Sequence, residues 1–380
     1  MTVKVTRPEF DAVEKLKELD SPKGVAGEAL LRADPVREQQ NLLGIRGKNI
    51  LYNGAMNVSQ RYTSFSGITS ATDYYVCDRW SLQTSLSGSL TVSQDADGPP
   101  EFQNCYKINV NTADPSPTTG IFRQHLQGDE LQFLKYGTPE ARDMTLSFWV
   151  KSNATGMYGF DIEQYDGTNY QIFVANYDIN QPDVWEYKTI KIPGNPHHAI
   201  ANDSYARFNL HWWFAFNTST YAGGNRKTDT WQPYTGTVIN DTDAMQLMAK
   251  AGNYIKFTGV QLELGSVATP FERRNLGEEL VQCMRYYQRS KDFETNEGVG
   301  AAYQSNRIRG QYERFFVPMR EDPAITLSGA RAYVGGGWQN ASVSGGSNIS
   351  YNGFSADLTG TYTNGYAYPI EYFWEAEAEL

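Results

Sequence analysis

From Asn49 to Arg274 this chain alternates strand-length runs with clusters of Gly, Pro, Asn and Asp, and no helical period interrupts them. DRWSLQTSL, CYKINVN, MTLSFWVKS, GFDIEQY, WEYKTIKIP, YARFNLHWWFAFN and NYIKFTGVQLEL each read as alternating or continuously apolar over the length of a strand. With no helix to carry a crossover, strands in series pair antiparallel, and several at this spacing close into a two-layered sandwich. In MTLSFWVKS the two-residue period sends Leu146, Phe148 and Val150 to one face and Trp149 to the other. NILYNGAMNVSQR is read as two short strands about an Asn53-Gly54 turn. The 25 Tyr, 8 Trp and 34 Gly fit many short strands joined by tight turns, so the expected class is mainly β.

The flanks read differently. Residues 1–48 are rich in charge and helix formers, with Phe10, Val13, Leu16 and Leu19 recurring every three residues after Pro8. A second, weaker stripe of Val36, Gln40 and Leu43 follows Asp34-Pro35 and ends at Gly44. Two short helices of this kind form no core alone, so the segment is expected to be a helical anchor that buries its stripes against another chain or the next domain. Beyond Arg274, Asn275 and Glu278 have the spacing of a capping box, and Leu276, Leu280, Cys283, Met284 and Tyr287 line one helical face. Strand-length pieces bounded by Gly and Pro then run to the C-terminus, predicting a smaller β-sandwich over 275–380. Three units are expected: 1–48, 49–274 and 275–380.

Net charge of −10 argues against a groove for nucleic acid, which needs a basic surface. Cys77, Cys105 and Cys283 are odd in number and far apart, which predicts no disulfide framework and folding in a reducing cytoplasm. The charged start MTVKVTRPEF and the lack of a long apolar run predict neither Sec export nor membrane insertion. No GxSxG elbow, P-loop or HExxH occurs, and no carboxylate pair stands out, so no enzyme is expected. Of His125, His197, His198 and His211, the adjacent pair follows Pro196 in a solvated loop with no Cys or carboxylate at ligand spacing beside it, and neither metal nor cofactor is predicted. Asp161, Glu163 and Asp166 in FDIEQYDGTN are read as solvated acids, the first two on the solvent face of a strand.

NILYNGAMNVSQR, the DRW of Asp78–Trp80, LSFWVK, WEYKTIKIPG and GNYIKFTGVQLELGSVATPFERR occur in one order along the chain. In that order they resemble the carbohydrate-binding-module-like jelly roll of phage tail-fibre proteins. The capped helix leading to FFVPMREDPAITLSG and YFWEAEAEL resembles the module that follows this jelly roll in phage fibres. The resemblance implies a virion protein assembled in the host cytoplasm, anchored to other tail or capsid proteins by its N-terminus. It also implies a homotrimer and attachment to the bacterial surface through glycans. A head fibre, knob or capsid decoration protein with a spacer role is the alternative, and a polysaccharide depolymerase the third. Relatives in the wider superfamily hold calcium through carboxylates where this chain has Met56-Asn57 and Thr258-Gly259, so a dedicated ion is not expected.

Flat rings stack on the apolar faces of sugars while polar neighbours bond the hydroxyls. The loop STYAGGNRKTDTWQPYTG supplies Tyr221, Trp231 and Tyr234 beside Asn225, Arg226 and Asp229, and Tyr74 with Tyr75 forms a second candidate pair. Trp80, Trp149, Trp185 and Trp212 are assigned to packing.

Overall fold

The structure, a computed structural model, describes residues 49–74, 76–221, 227–236, 245–290 and 296–380. The first sheet begins with β1 (Ser64–Asp73), β2 (Ser81–Asp95), β3 (Cys105–Thr112), β4 (Thr119–Gln127), β5 (Met144–Ser152) and β6 (Gly156–Tyr165). It continues with β7 (Tyr170–Ile179), β8 (Glu186–Ile192), β9 (Ala206–Phe216), the short helix α1 (Thr218–Tyr221), β10 (Trp231–Pro233) and β11 (Tyr254–Leu264). Its order is β10-β7-β6-β9-β4-β2-β3-β11-β5-β8, with β1 also on β2, and every pairing is antiparallel.

One long strand makes this sheet a sandwich. The first residues of β2, Ser81–Ser85, pair with β4, and its later residues, Ser89–Asp95, pair with β3. β2 therefore passes from one layer to the other, and the aromatic residues of the two layers meet between them. Phe122 of β4 stacks on Phe257 of β11 at 4.9 Å, while Phe148 of β5 meets Trp212 of β9 at 5.9 Å and Tyr177 of β7 at 5.2 Å. Burying each such ring stabilises the fold by about 1.5–3 kcal/mol. The alternation read in MTLSFWVKS holds: Leu146, Phe148 and Val150 are fully buried, and Trp149 lies outside the core against Tyr187.

Four strands, β1, β4, β7 and the short β10, lie where no strand is predicted, and the segment before β1 holds none. Instead of two short strands about a turn, Asn53 takes a left-handed conformation (φ 51°) and its side chain bonds Val58 N and O and Asp78 O. A Cβ on Gly54 would lie 2.1 Å from the Val260 carbonyl oxygen, so the chain crosses β11 there with room for hydrogen only. Beside this crossing, the Thr258 hydroxyl donates to Asn104 O at 2.7 Å. Both Glu263 oxygens are occupied as well, by the Gln261 amide, the Thr269 N–H and the Thr269 hydroxyl.

Helix α2 (Leu276–Met284) leaves the sandwich, and the capping box at Asn275 and Glu278 is present in both directions. The helix is shorter than its predicted stripe. Leu276 is 60% exposed, Cys283 is buried, and Tyr287 already belongs to a strand. The second sheet comprises β12 (Tyr287–Arg289), β13 (Asn296–Gln304), β14 (Arg307–Arg314) and β15 (Ala324–Val334), then β16 (Gly337–Asn340), β17 (Ser342–Ser350), β18 (Gly353–Thr359) and β19 (Ala367–Glu377). Its order is β16-β15-β19-β13-β14-β18-β17, with β12 on β19. The sheet rolls until Gly346 of β17 lies over Ile325 of β15, around a core of Phe315, Phe354 and Trp374.

The two sheets meet at a seam of buried charge. Arg79, fully buried, pairs with Glu379, donates to His125 O at 2.8 Å and lies 3.5 Å over the Tyr286 ring. Arg61 reaches the same Glu379 and lies 3.7 Å over Tyr287. All three cysteines are free and buried. No helix among the described residues is long and apolar enough to cross a membrane.

Candidate functional site

Period two gives β6 and β9 a second face. Phe160, Ile162, Leu210 and Trp212 enter the core, which turns Asp161, Glu163, Asn209 and His211 to the opposite side. Register then fixes a grid across three strands: Asp161 lies opposite His211 and His211 opposite Arg123, while Glu163 lies opposite Asn209 and Asn209 opposite His125. His211 Nδ1 is 3.1 Å from Asp161 Oδ2, and the Trp213 indole N–H donates to Asp161 Oδ1. His125 Nδ1 is 2.6 Å from Asn209 Oδ1, and Arg123 donates to Ser81 Oγ at 3.1 Å and Gln83 Oε1 at 2.7 Å.

This grid corrects the reading of Asp161 and Glu163 as solvated acids. The alternation does place them off the core, yet Asp161 is fully buried and Glu163 half-buried. Burial raises the Glu163 carboxyl, and it drives the His125 imidazole well below its usual value. Burial also pulls His211 down, but the neighbouring Asp161 and Glu163 charges outweigh that and leave it raised.

Along the same strands the face opens to solvent at a cluster of tyrosines. The YDGTNY turn pairs Tyr165 at the end of β6 with Tyr170 at the start of β7, and their rings stack at 4.3 Å. Tyr234, just beyond β10, donates its N–H to Tyr170 O and brings its ring within 6.1 Å of the Tyr170 ring. Arg207 lies over Tyr165 at 4.8 Å and Tyr205 at 5.3 Å while its Nε donates to Asp203. Tyr170, Tyr205 and Tyr234 are 47%, 64% and 37% exposed, so their faces are available to a ligand. At the other end of β10, Asp229 lines a groove of about 530 Å³ with Asn176, Thr189, Lys191 and Asp143. Strand β10 thus runs between an aromatic platform and a polar groove.

The predicted binding residues separate accordingly. Tyr234 joins the platform and Asp229 the groove. Trp231 does not face solvent as a stacking surface: it packs between Phe173, Tyr136 and Phe208, and its indole N–H donates to Pro193 O at 2.7 Å. Tyr221 packs on Trp213 at 5.2 Å. Tyr74 is buried in the seam, its hydroxyl donating to Leu380 O. Asn225, Arg226 and Tyr75 lie outside the described residues, as do Phe10, Val13, Leu16, Leu19, Val36 and Leu43. Tyr165, Tyr170 and Tyr205 escaped the sequence reading, although the tight YDGTNY turn between two strands carries the signal for the first two.

No family model matches the chain, and no curated protein matches it. Among solved structures, the enzymatically active domain of Bacteriophage CBA120 tailspike protein 4 is similar at 16% identity and a TM-score of 0.33. That match covers 57% of this chain and 21% of the tailspike chain. A CBM4 structure matches at 11% identity and a TM-score of 0.29, over 56% of this chain and 98% of its own. The family 11 carbohydrate-binding module of the Clostridium thermocellum cellulase Lic26A-Cel5E matches at 14% identity and 0.26, over 53% and 96%.

Proposed function

We propose that this chain is a non-enzymatic phage virion protein, a tail fibre or tail-fibre-like appendage, that attaches to the bacterial surface by binding glycan on the β10 rim. The observation that carries the reading is the exposed platform of Tyr170, Tyr234 and Tyr205 beside Arg207 and Asp203. Rings at that exposure offer apolar faces for sugar rings, and the neighbouring ion pair offers both donors and acceptors for hydroxyls. The order of motifs from NILYNGAMNVSQR to TPFERR supports the virion role, and the acidic chain fits a partner other than nucleic acid. Single sugar contacts are weak, so a trimer repeated around a particle would gain its hold through avidity.

The spacer reading, as a head fibre or decoration protein, draws on a different observation: a buried ion pair, Arg79 with Glu379, joins the two sheets. The two readings part in one experiment. Tyr170→Ala with Tyr234→Ala is expected to weaken binding of the purified protein to host-surface polysaccharide by about tenfold per ring removed, with the melting temperature little changed. Undiminished polysaccharide binding and particle adsorption by a folded double variant would sink the glycan reading and leave the spacer.

A further inference from the structure

We propose that Asp161, Glu163 and His211 form a site for one divalent transition-metal ion, zinc being the best fit, on the outer face of the first sheet. One ligand atom from each of the three residues lies within 4.8 Å of the others. A single ion about 2.0–2.2 Å from each nitrogen or oxygen spans such a triangle with modest side-chain rotation. The backbone holds this arrangement, because Asp161 and His211 are directly opposed on β6 and β9 and Glu163 is the next residue on the same face of β6.

Charge favours a cation here. Two carboxylates two residues apart share a buried face, and burying like charges together is costly unless something positive joins them. The facing cation on β4 is Arg123, whose Nε and Nη1 already donate to Ser81 and Gln83. Trp213 and Asn209, the other neighbours on β9, are neutral, so the group that answers the two acids in the metal-free chain is the His211 ring, 3.1 Å from Asp161, and a divalent ion bound there takes the place of its proton. A second observation is independent of the acids: His211 Nε2 is buried without a hydrogen-bond partner, so the ring holds ligand capacity that no protein group uses.

Donor chemistry selects the ion. An imidazole with two carboxylates suits zinc and its first-row neighbours, whereas calcium and magnesium take all-oxygen shells. The surrounding bonds have the form that orients metal ligands: Trp213 holds one Asp161 oxygen, and Asn209, itself held by His125, bonds Glu163. The inference concerns the grid and stands whether or not the tyrosine platform binds glycan.

The test uses the full chain, stripped with chelator and titrated with zinc by calorimetry and with cobalt by visible absorption. One ion per chain is expected, with a ligand-field band on cobalt binding. Glu163→Gln is half-exposed and nearly isosteric, so it should keep the fold while weakening affinity at least about tenfold; His211→Gln should weaken it further. Thermal melts in metal-free buffer separate lost binding from lost folding. Absence of stoichiometric binding by the wild-type chain, or equal affinity in a folded Glu163→Gln variant, would overturn the site.

Discussion

Trp231 and Tyr234 stand three residues apart and do different work, which two substitutions will separate. Trp231→Ala empties a contact with Tyr136, Phe173 and Phe208 and should cost about 3 kcal/mol in denaturant melts, whereas Tyr234→Ala should leave stability nearly unchanged. A titrating residue gives a second expectation. Burial raises the Glu186 carboxyl, but donors from Lys188, Gln181 and Asn180 outweigh it and hold it at about 2. A folded-state value below the unfolded one, near 4.3, adds stability that is present above 4.3 and lost as pH falls through about 2. Glu186→Gln should therefore cost about 0.5–1 kcal/mol in melts at neutral pH, and the difference from wild type should shrink toward nothing near pH 2. Asp161 shows how far a sequence goes at this scale. Alternation gave its face correctly, but its burial depends on neighbours brought in from β9 and on what overlies the sheet, and spacing along one strand contains neither.

Elements were legible where one strand carried its own pattern. MTLSFWVKS is β5 from end to end because its apolar residues alternate over its full length. TGIFRQHLQ, by contrast, became β4 with Arg123 and His125 on one face and a buried Gln124 on the other, so its polar residues masked the strand. Ten residues of SFSGITSATD form β1 although nearly all are exposed; pairing with β2 holds them, and a pairing partner is invisible to local reading. The α2 cap was legible because Asn275 and Glu278 act within one turn. Replacing Asn275 by Ala removes the acceptor for the Glu278 N–H and should cost about 1 kcal/mol by denaturant unfolding, while Asn275→Asp should restore most of it. An unchanged midpoint for the Ala variant would show that α2 is held by Cys283 and the tyrosines behind it, with no help from its cap.

At the scale of the whole molecule, the segment TPFERR leaves the sandwich only for the chain to return to it. Glu379, next to the C-terminus, answers two arginines that lie some 300 residues earlier in the sequence, Arg79 at a separation of 300 and Arg61 at 318. Nothing in the DRW motif announces this, since Trp80 enters the core while Arg79 points into the seam toward residues from the far end of the chain. The seam couples the two sheets energetically as well as spatially. Arg79 is fully buried and stays charged, so its cost is offset only while Glu379, His125 O and the Tyr286 ring surround it. Glu379→Gln keeps the shape, removes the counter-charge of Arg79 and leaves Arg61 with Glu377 alone, which should cost about 3–5 kcal/mol. Because that loss falls between the sheets and not within either core, calorimetry should show the wild-type transition splitting in two, with the second sheet melting first around its smaller core. Protease should then cut near α2 in the variant and leave the wild type intact. A variant that still melts in one unshifted transition would mean that the sheets are joined by apolar packing around Tyr286 and Tyr287, with the charges incidental.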